Sequence, residues 1–363
     1  MRDVRAIAAL AALALVLTAC SGQVATAPTT AIPSQAPLAD LPLLDDPRTF
    51  EGPSTALLPD AAIVPLDPRP EQVLPTTVVS HDHAGDVEVV VDDASRILGL
   101  DLAGSIAATI QGLGFGSALV GRDVSTTFPG SEDLPVVTTG GHTINAEAVL
   151  ALRPTLVITD GTIGPRDVIE QLREAGVDVV FVDAPPSFAG AEQLARQVAA
   201  ALGAPDGGDR LGDDIRESVA AKVAEIAAIA PATGADRVRI LFLYLRGGAG
   251  VYYLFGEESG ADDLIEGLSA VDVAGEIGWV GMKPMTDEAL VAADPDLVLV
   301  MTDGLASAGG VDGLLESRPA LALTTAGQHR RFVDMADGVV LGFGPRSAAV
   351  LDALARAIYA PVG

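Results

Sequence analysis

The sequence predicts an α/β protein made of two βα lobes joined by a single long helix. Three observations predict it. The segment Glu147–Thr159 returns 141 residues later as Glu288–Val300, with six of its thirteen positions identical, and each copy reads as a short helix, a proline stop and a buried strand. Outside the two copies, short apolar runs alternate with longer helical stretches, the pattern of parallel βα units. Between the copies, Asp209 to Ala230 reads as one helix, spanning ~30 Å, enough to cross a domain. A cleft between two similar lobes is a natural ligand site.

The chain starts with Arg2 and Arg5 before an apolar run from Ala6 to Leu17, the pattern of a signal peptide and too short for a spanning helix with normal flanks. It closes on Leu17-Thr-Ala-Cys20, which resembles a bacterial lipobox; that resemblance implies cleavage before Cys20 and diacylglycerol on its sulfur. The other reading is a plain secretory signal with a chance cysteine. Cys20 is the one cysteine in the chain, so no intramolecular disulfide forms and a large core must supply the stability. Residues 1–20 are therefore read as signal and 21–75, rich in Pro, Ala, Thr and Asp, as a flexible tether. Leu41-Pro-Leu-Leu44 leaves open an arm packed on the domain.

The first lobe is expected over 76–206. Val87–Val91 is a strand, Ser95 caps a following helix, a second helix starts near Ser105, and Ala118–Val120 is a second strand. Val136 and Val137 precede the loop Thr138-Thr-Gly-Gly-His142. Pro165 opens a helix with Val168, Ile169 and Leu172 on one face, which Gly176 ends before the strand Val179–Val182. Another helix runs to about Leu202. The connecting helix is placed in 207–233 and the second lobe in 234–363. That lobe opens with an apolar strand from Arg237 to Arg246, then Gly247–Gly250 and Val251–Phe255. Helices near Ala261–Leu268, Asp287–Ala293, Val311–Glu316 and Arg346–Tyr359 surround strands at Leu297–Met301 and Arg331–Asp334. Lobes joined by one stiff helix should move little.

The net charge of −27 argues against nucleic acid and against a basic membrane-binding face. The fold carries no cysteine nucleophile and no Gly-x-Ser-x-Gly, and His81-Asp-His83 is too small a set for zinc. The chain reads as a binding protein and not an enzyme.

Two places carry chemistry. His142 follows Gly140 and Gly141 in a loop; the glycines let the backbone bend and leave the imidazole accessible, either as a ligand or as a solvent-facing loop residue. Tyr244 and Arg246 end a strand two residues apart, on one face, and ligands bind at carboxyl ends of strands in open α/β sheets. A protonated phenol is a poor iron ligand, and a neighbouring guanidinium favours the phenolate. Tyr-x-Arg thus offers a hard anion to ferric iron, tyrosinate being a known haem ligand. The alternative is a tyrosine capping the core beside an arginine salt bridge.

With the lipobox and the two-lobed frame, Gly-Gly-His142-Thr-Ile-Asn-Ala-Glu147 and Leu-Tyr244-Leu-Arg246-Gly-Gly resemble the haem-binding lipoproteins of actinobacterial haem ABC importers, the HmuT type of cluster-III substrate-binding proteins. Gly121-Arg-Asp-Val-Ser-Thr-Thr-Phe128 and Gly250-Val-Tyr-Tyr-Leu-Phe-Gly256 strengthen the resemblance, which covers roughly residues 80 to 363. It implies haem iron held from opposite faces by His142 and Tyr244, with Arg246 hydrogen-bonded to the tyrosinate. It also implies a nearby methionine, Met301 ahead of Met282 and Met285. Docking on an ABC permease and its ATPase would use one acid per lobe, Glu147 and Glu288, which otherwise read as carboxylates favoured by helix dipoles. Arg122 and Arg346 lie near element ends where they can pair with haem propionates. The implied protein is a monomer outside the cytoplasm, held to the membrane through Cys20 and fed by surface haem-binding donors. A ferric-siderophore or cobalamin carrier of the same fold is the alternative, though an aromatic content of 4% offers little to a bulky chelate.

Overall fold

The computed structural model describes residues 36–361 apart from 60, 233 and 247–250; Cys20, the signal segment and the first part of the expected tether lie outside the described residues. In the first lobe, Ile97–Leu100, Leu156–Thr159 and Asp178–Phe181 form a parallel sheet. Bridges from Ile97 to Leu119 and from Arg122 to Val136 extend it on one side. On the other side the hairpin Thr76–Asp82 with Gly85–Val91 packs, and Ser80 Oγ accepts from Phe181 N at 2.8 Å. In the second lobe the sheet runs Ser54–Ala56, Phe332–Met335, Leu297–Met301, Arg239–Arg246, Val251–Phe255, Met282–Pro284, parallel up to Arg239–Arg246 and antiparallel beyond it.

The repeat extends to individual hydrogen bonds. The helices Ala146–Ala151 and Asp287–Ala293 are capped by Asn145 and Thr286, which accept from Ala148 N and Ala289 N. Each helix exits through a left-handed residue, Arg153 at φ 47° and Asp294 at φ 39°. Arg96 donates to the carbonyls of Leu152 and Arg153, and Arg239 to those of Ala293 and Asp294, the same carbonyls one repeat later. Arg96 N donates to Thr155 Oγ1 and Arg239 N to Asp296 Oδ2. Leu156 pairs with Ile97 and Leu297 with Ile240, so Asp101 in the first lobe and Tyr244 in the second occupy equivalent places.

Several expectations change. Ser95 caps no helix; the short apolar run after it is the strand Ile97–Leu100. Ala118–Val120 contributes a single bridge at Leu119, not a strand. The connecting helix starts earlier, at Pro205, and runs to Ile229. Its first turns contain Gly207 and Gly208 because neighbours come too close for a side chain: a Cβ on Gly207 would lie 2.6 Å from Pro70 Cγ, and one on Gly208 2.8 Å from Ala199 Cβ of the preceding helix, Phe188–Ala201.

The larger correction concerns residues 36–75, which are an arm rather than a tether. Leu38 is fully buried, and its N–H donates to Glu225 of the connecting helix. Ser54–Ala56 joins the edge of the second lobe's sheet. Farther on, Leu66 N donates to Gly112 O, Val73 N to Gly203 O and Gln72 Nε2 to Leu202 O, each at 2.8 Å. The arm thus leaves the second lobe and ends on the first, so the long helix is not the sole link between them.

Candidate ligand site between the lobes

Tyr244 lies in Arg239–Arg246, where Leu241, Leu243 and Leu245 pack into the outer core of the second lobe. Alternation puts Tyr244 on the inner face with Phe242, half-buried at the margin of the central core. Its antiparallel partner is Tyr253, ring centroids 6.4 Å apart, and Phe255 meets its ring edge-on at 6.3 Å. Val300 pairs with Leu243, so Met301 is the next residue along, beside Tyr244 and also half-buried on the inner face. Met335 pairs with Met301, a neighbour that sequence reasoning missed although both strands end at matching residues. Met282 is 50% exposed and in register with Phe255 at the sheet edge, whereas Met285 is buried in the outer core and faces away.

From the first lobe, the short hairpin Thr138–Thr139 with Thr143–Ile144 carries His142. Gly140 and Gly141 form its turn at φ 57° and 97°, the left-handed region that glycine enters without strain. His142 is half-buried, and its Nδ1 is buried with no hydrogen-bond partner among the described residues. A methyl group placed on Gly141 would lie 3.8 Å from Arg246 Nη2. The histidine turn of one lobe therefore meets the Tyr-x-Arg strand end of the other.

The lobes also touch where Ser125 meets Gly338; a Cβ on Gly338 would lie 2.7 Å from Ser125 O. Both propionate candidates converge there. Arg122 Nη1 donates to Thr126 O at 3.1 Å, and Arg346 Nη2 reaches Gly338 O at 3.4 Å. Arg346 is almost wholly buried, its Nη1 has no partner among the described residues, and burial pulls its guanidinium below the usual arginine range. Beneath Phe255 a cavity of about 250 Å³ separates the lobes, walled by Asp101, Thr162, Leu194, Leu341 and Phe343. Asp101 accepts from the N–H groups of Ala103, Ser105 and Ile106; burial first, then Asp123 and Asp160, push its carboxyl well above the usual range. His81 pairs with Asp86, and His83 stacks edge-on against Phe181, so neither belongs to this site.

A family model described as periplasmic binding protein matches residues 102–338. The chain belongs to the periplasmic binding protein family. Within that family it is similar to the crystal structure of the haem-binding protein HmuT, at 42% identity and a TM-score of 0.80, covering 86% of this chain and 99% of that one. Variants of HmuT in which a histidine, a tyrosine or an arginine becomes alanine match equally well, the tyrosine and arginine lying two positions apart. It is also similar to the periplasmic haem-binding protein RhuT of Roseiflexus sp. RS-1, at 38% identity over 74% of this chain and 98% of that one, TM-score 0.66. An uncharacterized ABC transporter substrate-binding lipoprotein of Bacillus subtilis, YvrC, is 26% identical over 79% of this chain and 87% of its own length.

Proposed function

We propose that this chain captures haem outside the cytoplasm and delivers it to an ABC permease, with the iron between His142 and Tyr244. The observation that carries the reading is the meeting of the Gly-Gly-His142 turn with Arg246 across the seam between the lobes. A six-coordinate haem with these ligands needs the imidazole and the phenol on facing elements, and this meeting of the two elements supports that reading. The buried, unpartnered Nδ1 of His142 fits a ring awaiting a ligand contact. The haem-binding HmuT, studied at a histidine and a Tyr-x-Arg pair, supports the same assignment. Met301 lies beside Tyr244, within reach of the same haem face. Arg346, a buried cation lacking an anion, is the stronger propionate partner; Arg122 is engaged with carbonyls. Cys20 carries the lipid anchor, and Glu147 and Glu288 dock on the permease.

Titration of the apoprotein with hemin, read by absorption, tests this. A saturable Soret shift is expected. His142→Ala and Tyr244→Ala should each change the spectrum and weaken binding, and Arg246→Ala should change the tyrosinate signature while haem still binds. Unaltered spectra and affinities in both ligand variants would refute the iron site; tighter binding of a ferric siderophore than of hemin would refute the cargo.

A further inference from the structure

The chain has four tyrosines, and two of them spend their hydroxyls on the fold. Tyr252 donates to Asp287 Oδ1 at 2.8 Å, beside the outer core of the second lobe, with Arg318 over its ring at 4.0 Å. Tyr359 donates to Leu268 O at 2.6 Å. The hydroxyls of Tyr244 and Tyr253 have no hydrogen-bond partner among the described residues. A tyrosine hydroxyl away from water normally finds one, and the two that do not are direct cross-strand neighbours. Tyr253 is in register with Tyr244, both half-buried, their ring centroids 6.4 Å apart on the inner face. Arg246 stands on the same face, diagonal to Tyr253 in the register, a separation that long side chains span. Tyr253 is the outer of the two phenols. Its strand lies between Arg239–Arg246 and Met282–Pro284, the last strand of the sheet. Pro284, in register with Tyr253, and Met282, in register with Phe255, are both exposed. The sheet thus ends, open to solvent, one strand beyond Tyr253.

We infer that Tyr253 is a second phenol ligand for ferric haem, the first met on entry and the last left on release, with Tyr244 the resting ligand. The inference rests on the iron site proposed above and adds a route into it. Moving the haem across the sheet by about one strand spacing, ~5 Å, carries the iron from one hydroxyl to the other. The exchange balances. The bond from iron to the Tyr244 oxygen forms as the bond to the Tyr253 oxygen breaks, and the proton leaving Tyr244 is taken up by the Tyr253 oxygen. Iron stays ferric and one phenolate replaces another, so the net charge of the site is unchanged. Arg246 favours the anion in either place. His142 then completes the resting state from the other lobe. Release runs the same steps backwards.

The test uses the hemin-loaded protein, read by resonance Raman spectroscopy for the iron–phenolate stretch and by stopped flow for the rates. Tyr244→Phe and Tyr253→Phe each remove one hydroxyl and keep the ring. Tyr244→Phe should retain an iron–phenolate signal, shifted from wild type, and the double variant should have none. Tyr253→Phe should show the Tyr244 signal but slow both hemin uptake and transfer to apomyoglobin, each by roughly tenfold, so that affinity changes less than either rate. Loss of the iron–phenolate signal in Tyr244→Phe, or unchanged rates in Tyr253→Phe, overturns the second ligand and leaves the iron site standing. A wild-type protein that binds hemin with no iron–phenolate signal overturns both.

Discussion

Arg331 tests whether the arm is part of the folded molecule. Its side chain is fully buried, with no carboxylate partner among the described residues. It donates to Ser54 Oγ and Ala357 O at 2.7 Å, reaches Gly52 O and Ile358 O at 3.3 Å, and lies over the Phe50 ring at 4.7 Å. Two good bonds from a charged donor contribute about 3–6 kcal/mol, and the cation–π contact adds ~1 kcal/mol. Against this stands the cost of burying a cation. Burial lowers its pKa below the usual arginine value to about 10, which at 1.36 kcal/mol per decade is roughly 3 kcal/mol. Arg331→Met keeps the volume, removes both the bonds and the cost, and so should destabilise by about 1–4 kcal/mol in urea unfolding at pH 7. The loss should be local first: Ser54–Ala56 frees itself from the sheet edge, and trypsin cuts sooner after Arg48, the following Arg69 being protected by Pro70. Equal or greater stability in the variant, with unchanged cleavage at Arg48, would refute the claim that this guanidinium holds the arm.

Gly338→Ala should drive a methyl against Ser125 O at 2.7 Å, lowering stability by about 1–3 kcal/mol and speeding haem transfer to apomyoglobin; unchanged release would mean that this contact does not govern closure. Asp272 is lifted from 3.8 to about 6, mainly by burial and then by Asp262 and Glu257. The folded state alone keeps the proton between those values, so stability falls as pH rises from 4 to 6 and stays lower above. Asp272→Asn retains an acceptor for Ala274 N and Gly275 N and should gain on wild type through that window in urea titrations; a constant difference across it would count against the shift. Removing residues 36–59 should increase the change in radius of gyration on hemin binding, measured by small-angle scattering, and no increase would show that the long helix alone limits the lobes.

Most of the frame was legible because it rests on local signals. The repeat, the strand ends at Arg246 and Met301, and the helix Asp287–Ala293 follow from periodicity, proline stops and capping residues. The arm escaped because it holds to the body through separate anchors, Leu38, Ser54 and Gln72, with irregular chain between them and no period to detect. The early start of the connecting helix escaped because two glycines argue against a helix, and only the closeness of Pro70 and Ala199 explains them. In the candidate site, the sequence singled out His142, Tyr244 and Arg246 but not their meeting, which depends on how a distant turn and a strand end come to one seam. Met301 ranks ahead of Met285 from the sequence, but that Met285 is buried in the outer core, away from Tyr244, needed the structure.

The two lobes share a plan and still build an unsymmetrical site, and the repeat shows how. Tyr244 has an equivalent in the first lobe, Asp101, and His142 has one in the second, Lys283. In the proposed site neither equivalent would serve iron. The first lobe's strand stops at Leu100 and turns into the helix Ser105–Gly112, so Asp101 is consumed by three backbone N–H groups at that helix start. The second lobe's strand runs on to Arg246 before pairing back with Val251–Phe255, which leaves Tyr244 at the seam. Lys283 sits in a strand in register with Leu254, whose side chain belongs to the outer core, so it faces away from Tyr244. In the proposed site each lobe would offer one ligand, because Asp101 is taken up by a helix start in the first lobe and Lys283 faces away from Tyr244 in the second. A symmetric pair would have given two histidines or two phenols; on the proposed reading the divergence gives one of each, and a ferric haem would gain a neutral and an anionic ligand.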